Sequence, residues 1–216
     1  VSFINCSQTN DINDRTYWGI MGSNYSKNLM YDSCVFSRFD AHMGVANATI
    51  RNSTMGHMGI NAIGTGTLLI ENSTIRGRTL VNLRSDYGST WQGDFIIRNC
   101  TFIPNNGQEV SKVSLIGGHN SGQHDFGYTC YMPETITIEK LRIDDENHTE
   151  DYEGPTIFGD LNPDMRDDSY QQKFPYVITR ELMLKLYHNS TSSGKPLRLS
   201  DNMYMFKDVE ITTSEP

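Results

Sequence analysis

The sequence contains no apolar run of the ~18 residues that a membrane-crossing helix requires, so no membrane span is expected. Cysteine is scarce: four residues, at positions 6, 34, 100 and 130, with no Cys-x-x-Cys pair. That excludes a zinc ribbon. Basic residues are outnumbered, 18 Lys and Arg against 26 Asp and Glu, for a net charge of −8. A general nucleic-acid partner is therefore not expected. With 37% hydrophobic residues and only 7 prolines among 216 residues, the composition is neither disordered nor collagen-like. Such a length can bury a core without disulfides or metals. The chain opens on Val1, without an initiator methionine, inside what reads as a strand. We expect a single domain over residues 1–216 that is part of a longer protein.

The acidic residues are concentrated. Residues 1–142 hold 11 acids and 11 bases, residues 143–168 hold 10 acids and one base, and residues 169–216 hold 5 acids and 6 bases. The segment 144–170 is thus expected as an acidic loop insertion, solvated along its length. It lacks the alternating Asp/Asn order and glycine of an EF-hand, and nothing in its spacing supports Ca²⁺. No cofactor is expected, with Ca²⁺ at this loop as the weaker reading.

A short string recurs. Thr49–Met55 (TIRNSTM), Leu69–Ile75 (LIENSTI) and Ile96–Phe102 (IIRNCTF) share an isoleucine, a charged residue, Asn, a small residue, Thr and an apolar residue in order. Ser2–Gln8, Met30–Phe36, Thr137–Ile143, Ile178–Leu184 and Met205–Ile211 match more loosely. The fourth position then falls at Asn5, Ser33, Asn52, Asn72, Asn99, Lys140, Glu181 and Asp208. The strings alternate with period two and are rich in β-branched residues, which indicates strands. Steps near 20 residues, with longer ones where loops are inserted, indicate a parallel solenoid. Stacking coils about 4.8 Å apart predicts an asparagine column at a turn. Cys6, Cys34, Ser53, Ser73 and Cys100 would form a small-residue column beside it. Cys6 and Cys34 could bridge, whereas buried thiols acting as small hydrophobes are the simpler reading. Four of the eight Asn-x-Ser/Thr strings belong to the repeat itself, so turn chemistry explains them without glycosylation.

These strings resemble the right-handed parallel β-helix proteins of the pectin-lyase-like superfamily. The resemblance implies an all-β right-handed parallel β-helix of about 7–8 coils with inserted loops. It also implies an extracellular, cell-surface or virion location and a polysaccharide or oligosaccharide partner. Gly56–Gly64 (GHMGINAIG) looks like the Gly-His-Gly stretch of polygalacturonases. Leu83–Ser85 departs from that family's Arg-Ile-Lys, and its Asn-Thr-Asp and Asp-Asp strings are missing, so its catalytic roles are not carried over.

After each repeat string a second strand is expected: Phe39–Val45, Gly59–Thr65, Leu80–Asp86 and Val113–His119. Alternation turns Ala41, Ile60, Ala62, Val81 and Leu83 inward. It turns Asp40, His42, Asn61, Asn82, Arg84 and Asp86 outward, with His42, Asn61 and Asn82 in one line. Such a polar face suits sugar chemistry. For hydrolysis, Asp40 and Asp86 would be the carboxylate pair. For elimination, His42 or Arg84 would take the proton beside a uronate. His57, Asn61, Asn82, Tyr87, Trp91, His119 and His124 are the expected substrate-binding residues, the aromatic rings offering apolar faces to sugars. No metal site is assigned, a cluster of His119, His124 and Asp125 being the weaker reading. The alternative function is a non-catalytic β-helix, a stalk or a glycan-binding surface.

Overall fold

The computed structural model describes residues 1–16, 25–84, 91–119, 130–159, 176–177, 181–201 and 203–215. In chain order the strands begin with β1 (Ser2–Ile4), β2 (Ser26–Asp32), β3 (Val35–Phe36), β4 (Phe39–Arg51) and β5 (Thr54–Met55). They continue with β6 (Ile60–Gly64), β7 (Thr67–Glu71), β8 (Thr74–Gly77), β9 (Thr79–Arg84) and β10 (Asp94–Arg98). Next come β11 (Thr101–Pro104), β12 (Ser114–His119), β13 (Cys130–Tyr131), β14 (Thr135–Glu139) and β15 (Arg142–Ile143). The last are β16 (Thr156–Phe158), β17 (Tyr176–Val177), β18 (Glu181–Tyr187), β19 (Ser190–Thr191) and β20 (Glu210–Ser214). Their pairings are parallel.

The chain winds as an all-β solenoid with three faces. The first face is β1-β2-β4-β7-β10-β14-β18-β20, eight stacked strands. The second is β3-β5-β8-β11-β15-β19. The third is the beginning of β4 followed by β6, β9, β12 and β16. Long β4 serves two faces, because its pairing shifts between Ala41 and Val45 as it passes from one to the other.

Period-two alternation fills the interior with columns. Ile50, Ile70, Ile97 and Ile138 are fully buried and in register. Phe36, Met55, Ile75, Phe102 and Ile143 line the second face from inside. Each such burial contributes about 1.5–3 kcal/mol. Outside, the residue after each isoleucine position forms a ladder of alternating sign, Asp32, Arg51, Glu71, Arg98, Glu139. Arg51 pairs with Asp32 and Arg98 with Glu71, both at 2.8 Å. Exposed pairs contribute under about 1 kcal/mol each. Their larger consequence is register, since a one-residue slip would turn these charges inward.

The expected asparagine corner exists. Asn5, Ser33, Asn52, Asn72, Asn99 and Lys140 all have φ between 49° and 56°, and Asn tolerates this left-handed region best among residues with a side chain. Beside it, Ser53 Oγ accepts from the Cys34 amide (3.0 Å) and donates to the Arg51 carbonyl (2.7 Å). Ser73 repeats this toward Ser53 and Glu71. Cys100 places its thiol in the same column, donating to the Arg98 carbonyl. Cys6, Cys34 and Cys100 carry free thiols, so the conceivable Cys6–Cys34 bridge is not formed. Burial pushes the Cys100 thiol up to about 11, and the thiolate is the reactive form. Native protein treated with iodoacetamide at neutral pH should therefore leave Cys100 unmodified, and denaturant should expose it. Peptide mass spectrometry reads both.

The last two coils differ from the expected register. Glu139 pairs with Tyr187, so His188 (φ 54°), and not Glu181, takes the corner. Asn189 then accepts from the Leu141 amide (2.9 Å) and donates to the Ile138 carbonyl (2.9 Å). The repeat instance is thus Lys185–Thr191, seven residues beyond the expected Ile178–Leu184. The alternating run Leu182, Leu184, Leu186 admits either register, and the bonds of Asn189 decide between them. Asp208 is likewise not a strand position: Met203–Phe206 is a 3₁₀ turn and the strand is β20.

The acidic segment is not solvated along its length. Its first part carries β16, which pairs with β12, and Asp145 is only 1% exposed. Residues 160–170 lie outside the described residues.

Candidate functional site

On the third face, Phe39, Ala41, Ile60, Ala62, Val81 and Leu83 are buried, as their alternation requires. The opposite side of these strands presents one row in register: Asp40, Asn61, Asn82 and Gly117. His42 was expected in this row. It sits instead in the segment of β4 where the pairing shifts, and Asp40 takes the place beside Asn61. Asn82 Nδ2 donates to Asn61 Oδ1 at 2.9 Å. Among the described residues that bond leaves Asn61 Nδ2 and Asn82 Oδ1 available on half-buried residues, a donor and an acceptor suited to sugar hydroxyls. Two positions along the strands, Arg84 of β9 pairs with His119 of β12.

Asp40 departs from its expected role. It is 1% exposed, and Arg38 Nη2 lies 2.8 Å from its Oδ2, with both side chains nearly closed to solvent. A substrate cannot reach a carboxylate so covered, and breaking such a buried pair is costly. Sequence reasoning passed over Arg38, since nothing in its spacing marks it as the partner of Asp40. Tyr31 packs edge-on against Phe3, Phe36 and Phe39. Burial, reinforced by the negative charge of Asp40, pushes its phenol well above the ordinary range.

Trp91 is a second correction. It is 0% exposed, and its indole N–H donates to the Gly66 carbonyl at 2.8 Å. Gly64 makes the space: a Cβ there would lie 2.4 Å from the ring. The Gly64-Thr65-Gly66 corner is therefore a seat for the tryptophan, whose faces are spent on the core. His57 is half-buried in a turn, with its Nδ1 2.9 Å from the Ile12 carbonyl. Gly56 allows this close approach, a Cβ there meeting the same carbonyl oxygen. This holds the 8–16 segment down, and Arg15 continues it to Asn105 and Gln108. Asp86, Tyr87 and His124 lie outside the described residues.

One cavity went unseen in the sequence. It measures about 330 Å³ and is lined by Lys112, Val113, Ser114, Thr156, Phe158, Gly159 and Asp201. Only the pairing of β12 with β16 and the return of the chain at Arg198 beside Thr156 bring these positions together. Among the described residues no group of three His, Cys, Asp or Glu could hold a metal ion. No described helix is long and apolar enough to cross a membrane.

The chain is similar to a capsule KL64-specific depolymerase of Klebsiella phage P510. The two are 28% identical over 116 residues, which is 47% of this chain and 11% of that protein. The chain thus spans a small part of the relative's length. No protein-family model and no solved structure matches it.

Proposed function

We propose that the chain is the cleaving part of a virion- or surface-associated polysaccharide depolymerase, built on a right-handed, pectin-lyase-like β-helix, with its third face as the sugar-binding floor. The observation that carries this reading is the in-register polar row on a solenoid similar to a capsule depolymerase. The relative is named for a capsule, and we extend a capsular polysaccharide substrate to this chain. The ion pair of Asp40 with Arg38 removes one member of the hydrolytic carboxylate pair. Elimination then fits better. A base beside the third face, His119 or His42, takes the proton at C5 of a uronate while Arg84 neutralises its carboxylate. The C4–O bond breaks, a C4=C5 double bond forms, and the departing oxygen gains a proton. Asn61 and Asn82 bind hydroxyls of the same sugar chain.

Incubation with purified capsular polysaccharides tests this. The expected result is new ultraviolet absorbance from unsaturated ends, and His119→Ala should slow it by about 10²–10⁴-fold, as loss of a general base does. Reducing ends without absorbance, abolished by Asp86→Asn, would establish hydrolysis instead. The second reading, a glycan-binding surface without turnover, is favoured by the same burial of Asp40. Binding without either product would select it.

A further inference from the structure

We infer that the cavity between β12 and β16 is a second saccharide subsite, one that takes a carboxylate-bearing sugar through Lys112. The inference rests on the polysaccharide reading and names the substrate class. Lys112 is exposed at the lip of the cavity and has no ion-pair or hydrogen-bond partner among the described residues. The other charged lining residue, Asp201, is already neutralised: Arg198 Nη1 lies 2.6 Å from its Oδ1. The same guanidinium stands 3.4 Å from Glu153 and donates to the Gly154 carbonyl. The cavity therefore offers one uncommitted positive charge. An ammonium ion without a protein partner is suited to an anionic ligand.

The rest of the lining suits a sugar ring. Ser114, a half-buried residue of β12, has no hydroxyl partner among the described residues. Thr156 is buried and donates its hydroxyl to the Val113 carbonyl at 3.3 Å, which fixes the wall between β12 and β16. Asp201, held by Arg198, has lone pairs left for ligand hydroxyls. Phe158 lies beneath the cavity as a fully buried ring that closes its floor, backed by Phe206 with ring centroids 5.4 Å apart. Gly159 keeps the space open, since a Cβ there would lie 2.9 Å from Ser114 Oγ. A volume of about 330 Å³ falls at the small end of ligand pockets, the size for a short saccharide.

The placement connects the cavity to the polar row. Ser114 and Gly117 lie on the same strand, and Gly117 pairs with Asn82. Three residues along a strand span about 10 Å. One glycan chain can therefore rest on the Asn61–Asn82 amides while a neighbouring unit enters the cavity.

The test uses uronate-containing oligosaccharides from bacterial capsules, and the same oligosaccharides after chemical reduction of their carboxyl groups. Calorimetry with the whole chain measures binding, and polymer cleavage is measured in parallel. Lys112→Ala is expected to weaken binding of the acidic oligosaccharide by at least tenfold, leave the reduced form unchanged, and raise KM for the polymer without lowering kcat. Gly159→Ala is expected to weaken both forms. Because Lys112 is exposed, its removal should not shift the melting temperature. Equal binding of the acidic probe by Lys112→Ala and wild type, with cleavage of the polymer intact, would overturn the subsite and leave the depolymerase reading standing. Absence of both binding and cleavage across the capsule panel would overturn both.

Discussion

Trp91→Ala should lower stability by about 3–5 kcal/mol, the usual cost of truncating a buried aromatic. For a chain of this size that corresponds to roughly 10 °C in melting temperature. The ring is wholly enclosed, sits against Gly64 and donates to Gly66. Truncation would leave a large cavity at a solenoid corner and remove one of the two hydrogen bonds to the Gly66 carbonyl, which also accepts from the Asp94 amide. Gly64→Ala attacks the same packing from the other side, because a methyl group cannot occupy the 2.4 Å gap to the ring. It should destabilise by about 1–3 kcal/mol, the range for overpacking. Chemical denaturation of the two variants checks both values. A Trp91→Ala protein that melts like wild type yet loses glycan binding would restore the ring to the substrate surface and refute its core assignment.

Asp145→Asn should cost about 3 kcal/mol, in the range for a carboxylate that accepts several buried hydrogen bonds. Its oxygens accept from Tyr152 (2.7 Å), the Ser193 amide (3.0 Å), Ser193 Oγ (2.8 Å) and Ser192 Oγ (3.3 Å). These bonds tie the coil after β15 to the one after β19. Burial pushes the Asp145 pKa up, but the hydrogen bonds from Tyr152 and Ser193 outweigh it, and the net position is below the ordinary aspartate value. Burial, and then the same hydrogen bond, push the Tyr152 phenol upward. A depressed folded pKa gives stability that is fully present above the unfolded value of about 3.9. It is lost as pH falls through the folded pKa. The stability gap between wild type and Asp145→Asn should therefore be constant from neutral pH down to about 4 and close below it. Urea midpoints measured across that range decide the matter, and a gap unchanged under strong acid would contradict it.

How far the sequence carried depends on the range of the interaction. Asn52, Asn72 and Asn99 announce their corner because the left-handed backbone is a local demand, repeated at each coil. The isoleucine before each charged residue announces the inner column in the same way, as do Ala62, Val81 and Leu83 on the third face. Those features are properties of seven-residue strings. The register of β18 is not: its alternating leucines permit two alignments, and the contact of Asn189 with the preceding coil selects one.

The chemistry of the face was less legible for a related reason. Asp40 has the strand position of an exposed acid, and alternation rightly placed it opposite Phe39 and Ala41. Whether that side of a strand is wet depends on what lies over it, which alternation does not encode. Lys112 and Ser114 carry no motif shared with Thr156 and Asp201, which join them only when the coils close. The sequence by itself thus determined a parallel β-solenoid, its seven-to-eight-coil length and its inward residues, because stacking repeats a local pattern. The tertiary structure alone decided which polar groups are sequestered, where Trp91 rests and where a cavity opens. Each of those depends on contacts between segments that share no local pattern.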